Sequence, residues 1–289
     1  MKICRFNDNR IGVVTGDQVA DVTEILQSLG ERKYPFPNHD LFMANLPRLL
    51  PRLKELSATA QRVPLSGVAL LSPVANPGKI IGAPVNYVDH LSEATGQAEL
   101  HHGNKILTIQ KAGLFLKATS SLRGCSNGVF LEHLDRRNDH EVELVAIIGK
   151  PGRNVPKENA LEYVAGYCIG LDMTVRGPED RSMRKSVDTF SIAGPWMVTA
   201  DEIPDPDNLD LSLTVNGEYR QRANTRDLIL KTAELIAFAT AFYSIEPGDM
   251  LFTGTPAGVG PVNAGDKIHA EIASIGGMDV DVRGRANAA

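Results

Sequence analysis

The segment Asp139-His140-Glu141-Val142-Glu143-Leu144-Val145-Ala146-Ile147-Ile148-Gly149 constrains this chain most. A strand sends alternate side chains to opposite faces. Glu141 and Glu143 therefore share one face and lie close together, while Val142, Leu144 and Ala146 take the other. Beyond Glu143 the first face turns apolar as well, at Val145 and Ile147. The segment reads as a strand buried on both faces, with two acids at one end. Two ionised carboxylates that close repel, and in a partly buried site one takes up a proton unless a cation intervenes. Oxygen-only ligation by acids favours a hard ion such as Mg²⁺, Mn²⁺ or Ca²⁺. The alternative is an edge strand with both acids in water, which costs nothing. A third acid, Asp172, ends the apolar run Val164–Leu171. It is either a turn former or a further ligand completing a three-carboxylate site.

Downstream of a short strand at Lys79–Gly82 and a Pro turn comes Asn86-Tyr87-Val88-Asp89-His90-Leu91-Ser92-Glu93. On a helix His90 and Glu93 stand one turn apart and can touch. A carboxylate on one ring nitrogen orients an imidazole and raises its basicity, so that the other nitrogen can take a proton from water. A weak surface pair is the competing reading.

The remaining pattern is strand-rich. Strands are expected at Lys2–Phe6, Gly12–Thr15, Gln18–Asp21, Met250–Thr253, Lys267–Ile272 and Met278–Val282. Asp210–Val215 and Glu218–Gln221 flank Asn216-Gly217, a pair suited to a type I′ hairpin turn. A Leu-rich helical stretch runs from about Asp40 to Leu56, where Pro47 and Pro51 are expected to kink or divide it. Asn224–Ala241 has apolar residues at helical spacing and is expected to be one long helix stopped at Pro247-Gly248. Few helices and many strands imply an α+β fold. Residues 1–70 are expected to form a small β-rich N-terminal unit, with Arg62–Pro73 as linker, and residues 71–289 the larger domain.

The net charge of -5 disfavours a nucleic-acid partner, which needs a basic face. No run of 18 apolar residues offers a membrane span. Three cysteines without a CxxC pair are expected as small core residues in a reducing cytoplasm.

Taken in order, these pieces resemble the fumarylacetoacetate hydrolase (FAH) superfamily. The matching residues are Asn86-Tyr87-x-x-His90-x-x-Glu93, Phe115-Leu116-Lys117, Ser120-Ser121, Glu141-Val142-Glu143-Leu144, Asp172-x-x-x-Arg176, Lys185-Ser186-x-Asp188-Thr189-Phe190, Gly194-Pro195-Trp196 and Thr253-Gly254-Thr255-Pro256-x-Gly258-Val259-Gly260. The resemblance implies a mixed β-roll catalytic domain, usually homodimeric, behind a small N-terminal domain. It implies Mg²⁺ or Mn²⁺ on Glu141, Glu143 and Asp172, with Ca²⁺ as a further option. It implies a water-activating dyad of His90 and Glu93, with Lys185 neutralising charge on substrate oxygens. Tyr87, Lys117, Arg176 and Thr255 are its candidates for substrate contact.

The chain departs from the family at Pro84, where a Gly is common, and in a longer stretch from Thr95 to Ala112 that includes His101-His102. That stretch is either a lid or a surface loop. The implied activity is hydrolysis of a C–C bond in a 2,4-diketo acid of the acylpyruvate or fumarylpyruvate type, as in aromatic or sugar-acid catabolism. Isomerisation or decarboxylation of a 2-keto or 2-hydroxymuconate-type acid on the same site is the alternative. A metal-binding module with a silent site is the non-enzymatic one.

Overall fold

In the computed structural model, residues 1–31, 33–101 and 106–284 are described. The His101-His102 pair and the terminal Ala286-Asn287-Ala288-Ala289 lie outside the described side chains. Among the described residues no helix is long and apolar enough to cross a membrane.

The strand Val142–Ile148 lies inside a sheet of twelve strands. It pairs antiparallel with Val164–Asp172 on one side and Met250–Phe252 on the other. Ser191–Thr199 follows Val164–Asp172, and Lys2–Phe6 follows in turn. The opposite direction continues through Ile80–Gly82 to Phe115–Lys117. Alternation along Val142–Ile148 separates two apolar cores. Val142, Leu144, Ala146 and Ile148 enter one, shared with the five-stranded sheet that contains Asp210–Val215 and Lys267–Ile272. Val145 and Ile147 enter the other, under the helix Leu41–Thr59. The expected two-sided burial is thus present, and it is what gives the sheet a layer on each face.

Residues 1–70 bring the strands Lys2–Phe6, Arg10–Thr15 and Gln18–Asp21. Lys2 and Ile3 pair with Val198 and Met197, so these strands extend the main sheet. Within the expected linker, Arg62–Pro64 pairs with Gln18–Asp21, and Leu70–Leu71 pairs with Lys2–Phe6. The division at residue 70 stands as a proposal about chain order, since one core holds Ile3, Leu46 and Leu53 beside Val145 and Phe252.

Two helix expectations are corrected. The prolines do not divide the first: Leu41–Thr59 is a single element that contains Pro47 and Pro51. Both prolines are exposed and four residues apart, while Phe42, Met43, Leu46, Leu49 and Leu53 are buried on the opposite side. Packing of that face keeps the helix whole at the cost of two backbone donors. Asp40 caps its start by accepting from Phe42 and Met43 N–H groups at 3.0 and 3.1 Å. The second correction concerns Asn224–Ala241. The α-helix covers only Thr232–Phe242, with a single 3-10 turn before it at Thr225–Asp227. Asn224 ends a strand, and its side chain accepts from Arg226 N–H at 2.9 Å in a local turn. The Ile229 N–H bonds Asn86 O at 2.7 Å instead of a helical carbonyl. The helix stops at Phe242, before Pro247-Gly248. The hairpin is as expected, with Asn216 and Gly217 both at positive φ.

Leu53 is fully buried between the helix and the sheet. Leu53→Ala should cost about 2–5 kcal/mol in urea unfolding. Because the core is shared, the loss should appear in one transition for the whole chain and not in a separate early one.

Candidate active site

Strand pairing brings the three acids together. Val142 stands opposite Leu171 and Glu143 opposite Gly170, and the Asp172 N–H bonds Glu141 O at 2.9 Å. Residues directly opposite in an antiparallel pair share a face. Asp172 therefore lies beside Glu141, on the face that also carries Glu143. Gly170 has no side chain because Val145 and the Phe252 ring already fill that space, and a Cβ there would meet both at 2.5 Å. Oxygens of Glu141, Glu143 and Asp172 lie within 4.8 Å of one another, and all three residues are buried. This excludes the edge-strand reading, in which the acids are solvated.

Three cations face the three acids. Lys185 Nζ donates to Glu141 Oε2 at 2.7 Å, Asp172 Oδ2 at 2.6 Å and Thr174 Oγ1 at 2.7 Å. Lys117 Nζ bonds Asp172 Oδ1 and donates to Phe190 O at 2.7 Å. Arg176 donates to Asp139 Oδ2 at 2.7 Å and Glu141 Oε1 at 3.0 Å. The charges are unevenly shared. Burial alone would raise the Glu141 pKa, but Lys185 and then Arg176 hold it at about 2. Glu143 has no ion pair among the described residues, and it accepts only the Gly254 N–H at 2.7 Å. Burial, and then Asp172 and Glu141, push its pKa well above the usual carboxylate value. A buried carboxylate lacking a cation, beside two others within reach, is the donor set a hard divalent ion satisfies. The residues present fit the metal.

The Gly254 that serves Glu143 sits at φ +103, where a Cβ would also strike the Asn86 side chain at 2.7 Å. Asn86 is fully buried and ties this turn down. Its Nδ2 donates to Leu230 O at 2.9 Å and Thr253 O at 2.8 Å, and its Oδ1 accepts from Leu230 N–H at 2.8 Å. The Asn-Tyr and Thr-Gly-Thr motifs are therefore one joint that aims a backbone donor at Glu143.

His90 and Glu93 lie on the helix Val88–Gly96. His90 Nδ1 is 2.8 Å from Glu93 Oε2, and Glu93 Oε1 accepts the Gly258 N–H at 3.0 Å. Against the effect of burial, the His90 bond and the backbone N–H groups of Gly258 and Val259 lower the Glu93 pKa. Glu93 thus stays ionised and holds the proton on Nδ1. The His90 ring lines a cavity of about 390 Å³ that also holds Glu141, Glu143, Asp172 and Lys185.

Four expected substrate contacts sort differently. Arg176 and Thr255 line the cavity. Arg176 is already engaged by two acids, and the Thr255 hydroxyl donates to Val142 O at 2.9 Å. Lys117 is not in the cavity wall; it is sequestered on Asp172 with no exposed side-chain surface. Tyr87 is buried and lines a different groove beside Arg226 and Leu228. The structure adds residues that sequence reasoning missed. Gln221 donates to Thr255 Oγ1 at 2.8 Å and accepts the Val142 N–H at 3.1 Å. Arg181 and Arg184 stand in the wall, and Leu100 and Ile106 place part of the long 95–112 stretch over the cavity. Val85 also lines it, at φ +47, which is costly for a β-branched residue.

The chain belongs to the fumarylacetoacetate hydrolase family. The model of the fumarylacetoacetate (FAA) hydrolase C-terminal region matches residues 79–283. Among its relatives is a maleylpyruvate hydrolase of Aquipseudomonas alcaligenes, 58% identical over 285 residues that cover 98% of this chain and 99% of that one. A maleylpyruvate hydrolase from Sphingobium sp. SYK-6, solved with manganese(II) ion and pyruvate, superposes with a TM-score of 0.84 at 41% identity and covers 98% and 99% of the two chains. A mitochondrial oxaloacetate tautomerase of Rattus norvegicus is 35% identical over 235 residues, 77% of this chain and 72% of that one.

Glu143→Gln should separate the two roles of this carboxylate. A carboxyl with a raised folded pKa favours its protonated form. It supports the fold below the usual carboxylate pKa, and that support is lost as pH rises through the folded value. Relative to Glu143→Gln, metal-free wild type should therefore lose stability on going from pH 4 to 8, and the variant should be about 1–3 kcal/mol more stable than wild type at pH 7. The same variant should bind Mn²⁺ about 100-fold more weakly by calorimetry.

Proposed function

We propose that this chain is a metal-dependent hydrolase that cleaves the C–C bond of an acylpyruvate, a 2,4-diketo acid. The observation that carries the reading is one cavity lined by both a three-carboxylate cluster and His90, the histidine that Glu93 orients from behind. Maleylpyruvate, the substrate in the names of two relatives, is the first compound to assay. Oxygen-only donors and a relative solved with manganese support Mn²⁺ or Mg²⁺ on Glu141, Glu143 and Asp172. Ca²⁺ is the third ion to screen. Assembly as a homodimer and a cytoplasmic setting belong to the same proposal and rest on the family pattern.

A divalent ion bound by the three acids supplies Lewis acidity, polarising the substrate carbonyls and offsetting the charge of the departing enolate. The chain's own residues do the rest. Glu93 keeps the proton on His90 Nδ1, which leaves Nε2 free to accept a proton from water. The water oxygen attacks the carbonyl distal to the carboxylate. The bond from that carbonyl to the central carbon breaks, and its electron pair becomes the enolate of the 2-keto acid. Lys185, held between Glu141 and Asp172, places a positive charge beside those oxygens. His90 returns its proton to the carbon, giving pyruvate and the free acid. The water oxygen ends in the released acid.

The tautomerase relative favours a second reading, in which the same site moves a proton without consuming water. Oxygen-18 water distinguishes the two, since hydrolysis labels the released acid and tautomerisation labels no acid product. Glu93→Gln should lower kcat by about 10²–10⁴-fold and leave Mn²⁺ affinity unchanged within about twofold. Turnover near the wild-type rate in that variant would remove the dyad from the mechanism. Chelation should abolish activity, and Mn²⁺ or Mg²⁺ should restore it.

A further inference from the structure

Most cations around the cavity are already committed to protein acids. Lys117 and Lys185 bind Asp172 and Glu141, and Arg176 binds Asp139 and Glu141. Arg181 and Arg184 are different. They lie one turn apart on the short helix Arg181–Lys185, whose last residue is the lysine that contacts the acid cluster. Both line the cavity. Among the described residues neither guanidinium meets a carboxylate.

Arg184 Nε donates to Glu179 O at 2.8 Å, while its Nη1 is buried with no hydrogen-bond partner. The Arg181 guanidinium carbon lies 5.6 Å from the centre of the Phe115 ring. The adjacent acids are taken. Glu179 forms a two-point pair with Arg136 at 3.1 and 2.7 Å, and Asp180 accepts the Ser182 N–H at 2.8 Å. Burial lowers the pKa of both arginines, and Arg176 and Arg181 lower that of Arg184 further. Two like charges one turn apart, partly desolvated and unpaired, cost stability unless an anion joins them. A planar guanidinium matches a carboxylate in two-point geometry. Leu100, Ile106 and Phe115 add apolar surface for a carbon chain beside them.

We propose that Arg181 and Arg184 are the residues that read the far carboxylate of a dicarboxylic acylpyruvate such as maleylpyruvate and set the preference for it over a neutral acyl group. This assignment rests on the acylpyruvate reading above. The keto-acid end is held at the acid cluster and Lys185, and the far carboxylate at the two arginines. A substrate with a neutral acyl group leaves both guanidinium groups without that partner, and a site built for a charged group discriminates strongly against an analogue lacking it.

The test is the ratio of kcat/KM for maleylpyruvate over acetylpyruvate, measured with Mn²⁺, because a general loss of activity cancels in it. The wild-type ratio should be about 100 or more, falling about tenfold in Arg181→Met and in Arg184→Met, with Arg184→Lys retaining part of it. Calorimetry of Mn²⁺ binding identifies any variant whose acid cluster is damaged. A ratio within twofold of wild type in both Met variants overturns the assignment, as does a wild-type ratio near one. Wild type that turns over neither compound overturns the acylpyruvate reading, and this assignment with it. If a Met variant does not fold, wild-type inhibition decides. Maleate should then inhibit at least about tenfold more strongly than isocrotonate, the cis acid that lacks the second carboxylate, and equal inhibition overturns the proposal.

Discussion

Three carboxylates buried within 4.8 Å of one another are the constraint on which the rest of this structure depends. Their mutual repulsion in a weakly screening interior would unfold a chain that offered nothing in return. The protein offsets it with Lys117, Lys185 and Arg176, each reaching in from a different part of the chain. The compensation stops short of Glu143, which among the described residues keeps only a backbone N–H. That shortfall is what suits the site to a metal, since it leaves one acid that a cation would satisfy.

The large sheet makes the arrangement rigid. Its central strand Val142–Ile148 divides two cores, so neither face can shift without disturbing packed side chains. The acids occur where that strand leaves the cores, opposite Gly170 and Asp172. Asn86 then joins the His90 segment, the Leu230 loop and the Thr253 turn through three hydrogen bonds. The dyad and the acids are consequently positioned by one interlocked framework, although they lie about fifty to eighty residues apart in sequence.

Legibility in the sequence followed the range of the governing interaction. Alternation and turn chemistry are local, so the acid pair, the Asn216-Gly217 hairpin and the His90–Glu93 contact could be read directly. The helix expected from Asn224 failed because its first apolar residues serve contacts with Asn86 that no periodicity reveals. The prolines of Leu41–Thr59 do not divide the helix, since burial of the opposite face outweighs two lost donors. Lys117 and Tyr87 were sensible substrate contacts by motif. Only packing shows that one is sequestered on Asp172 and the other faces a different groove.

The sequence by itself determined that two acids share a strand face, that a histidine and a glutamate sit one helical turn apart, and, through motif order, which family these belong to. These follow from periods of two and about 3.6 residues and from the order of short motifs. The tertiary structure decided which charges are spent and which are free. It pairs Asp172 with Glu141 across two strands, commits Arg176 and both lysines to protein acids, and leaves Arg181 and Arg184 facing the cavity without carboxylate partners among the described residues. Charge pairing depends on distance in space, and a linear sequence does not carry that distance.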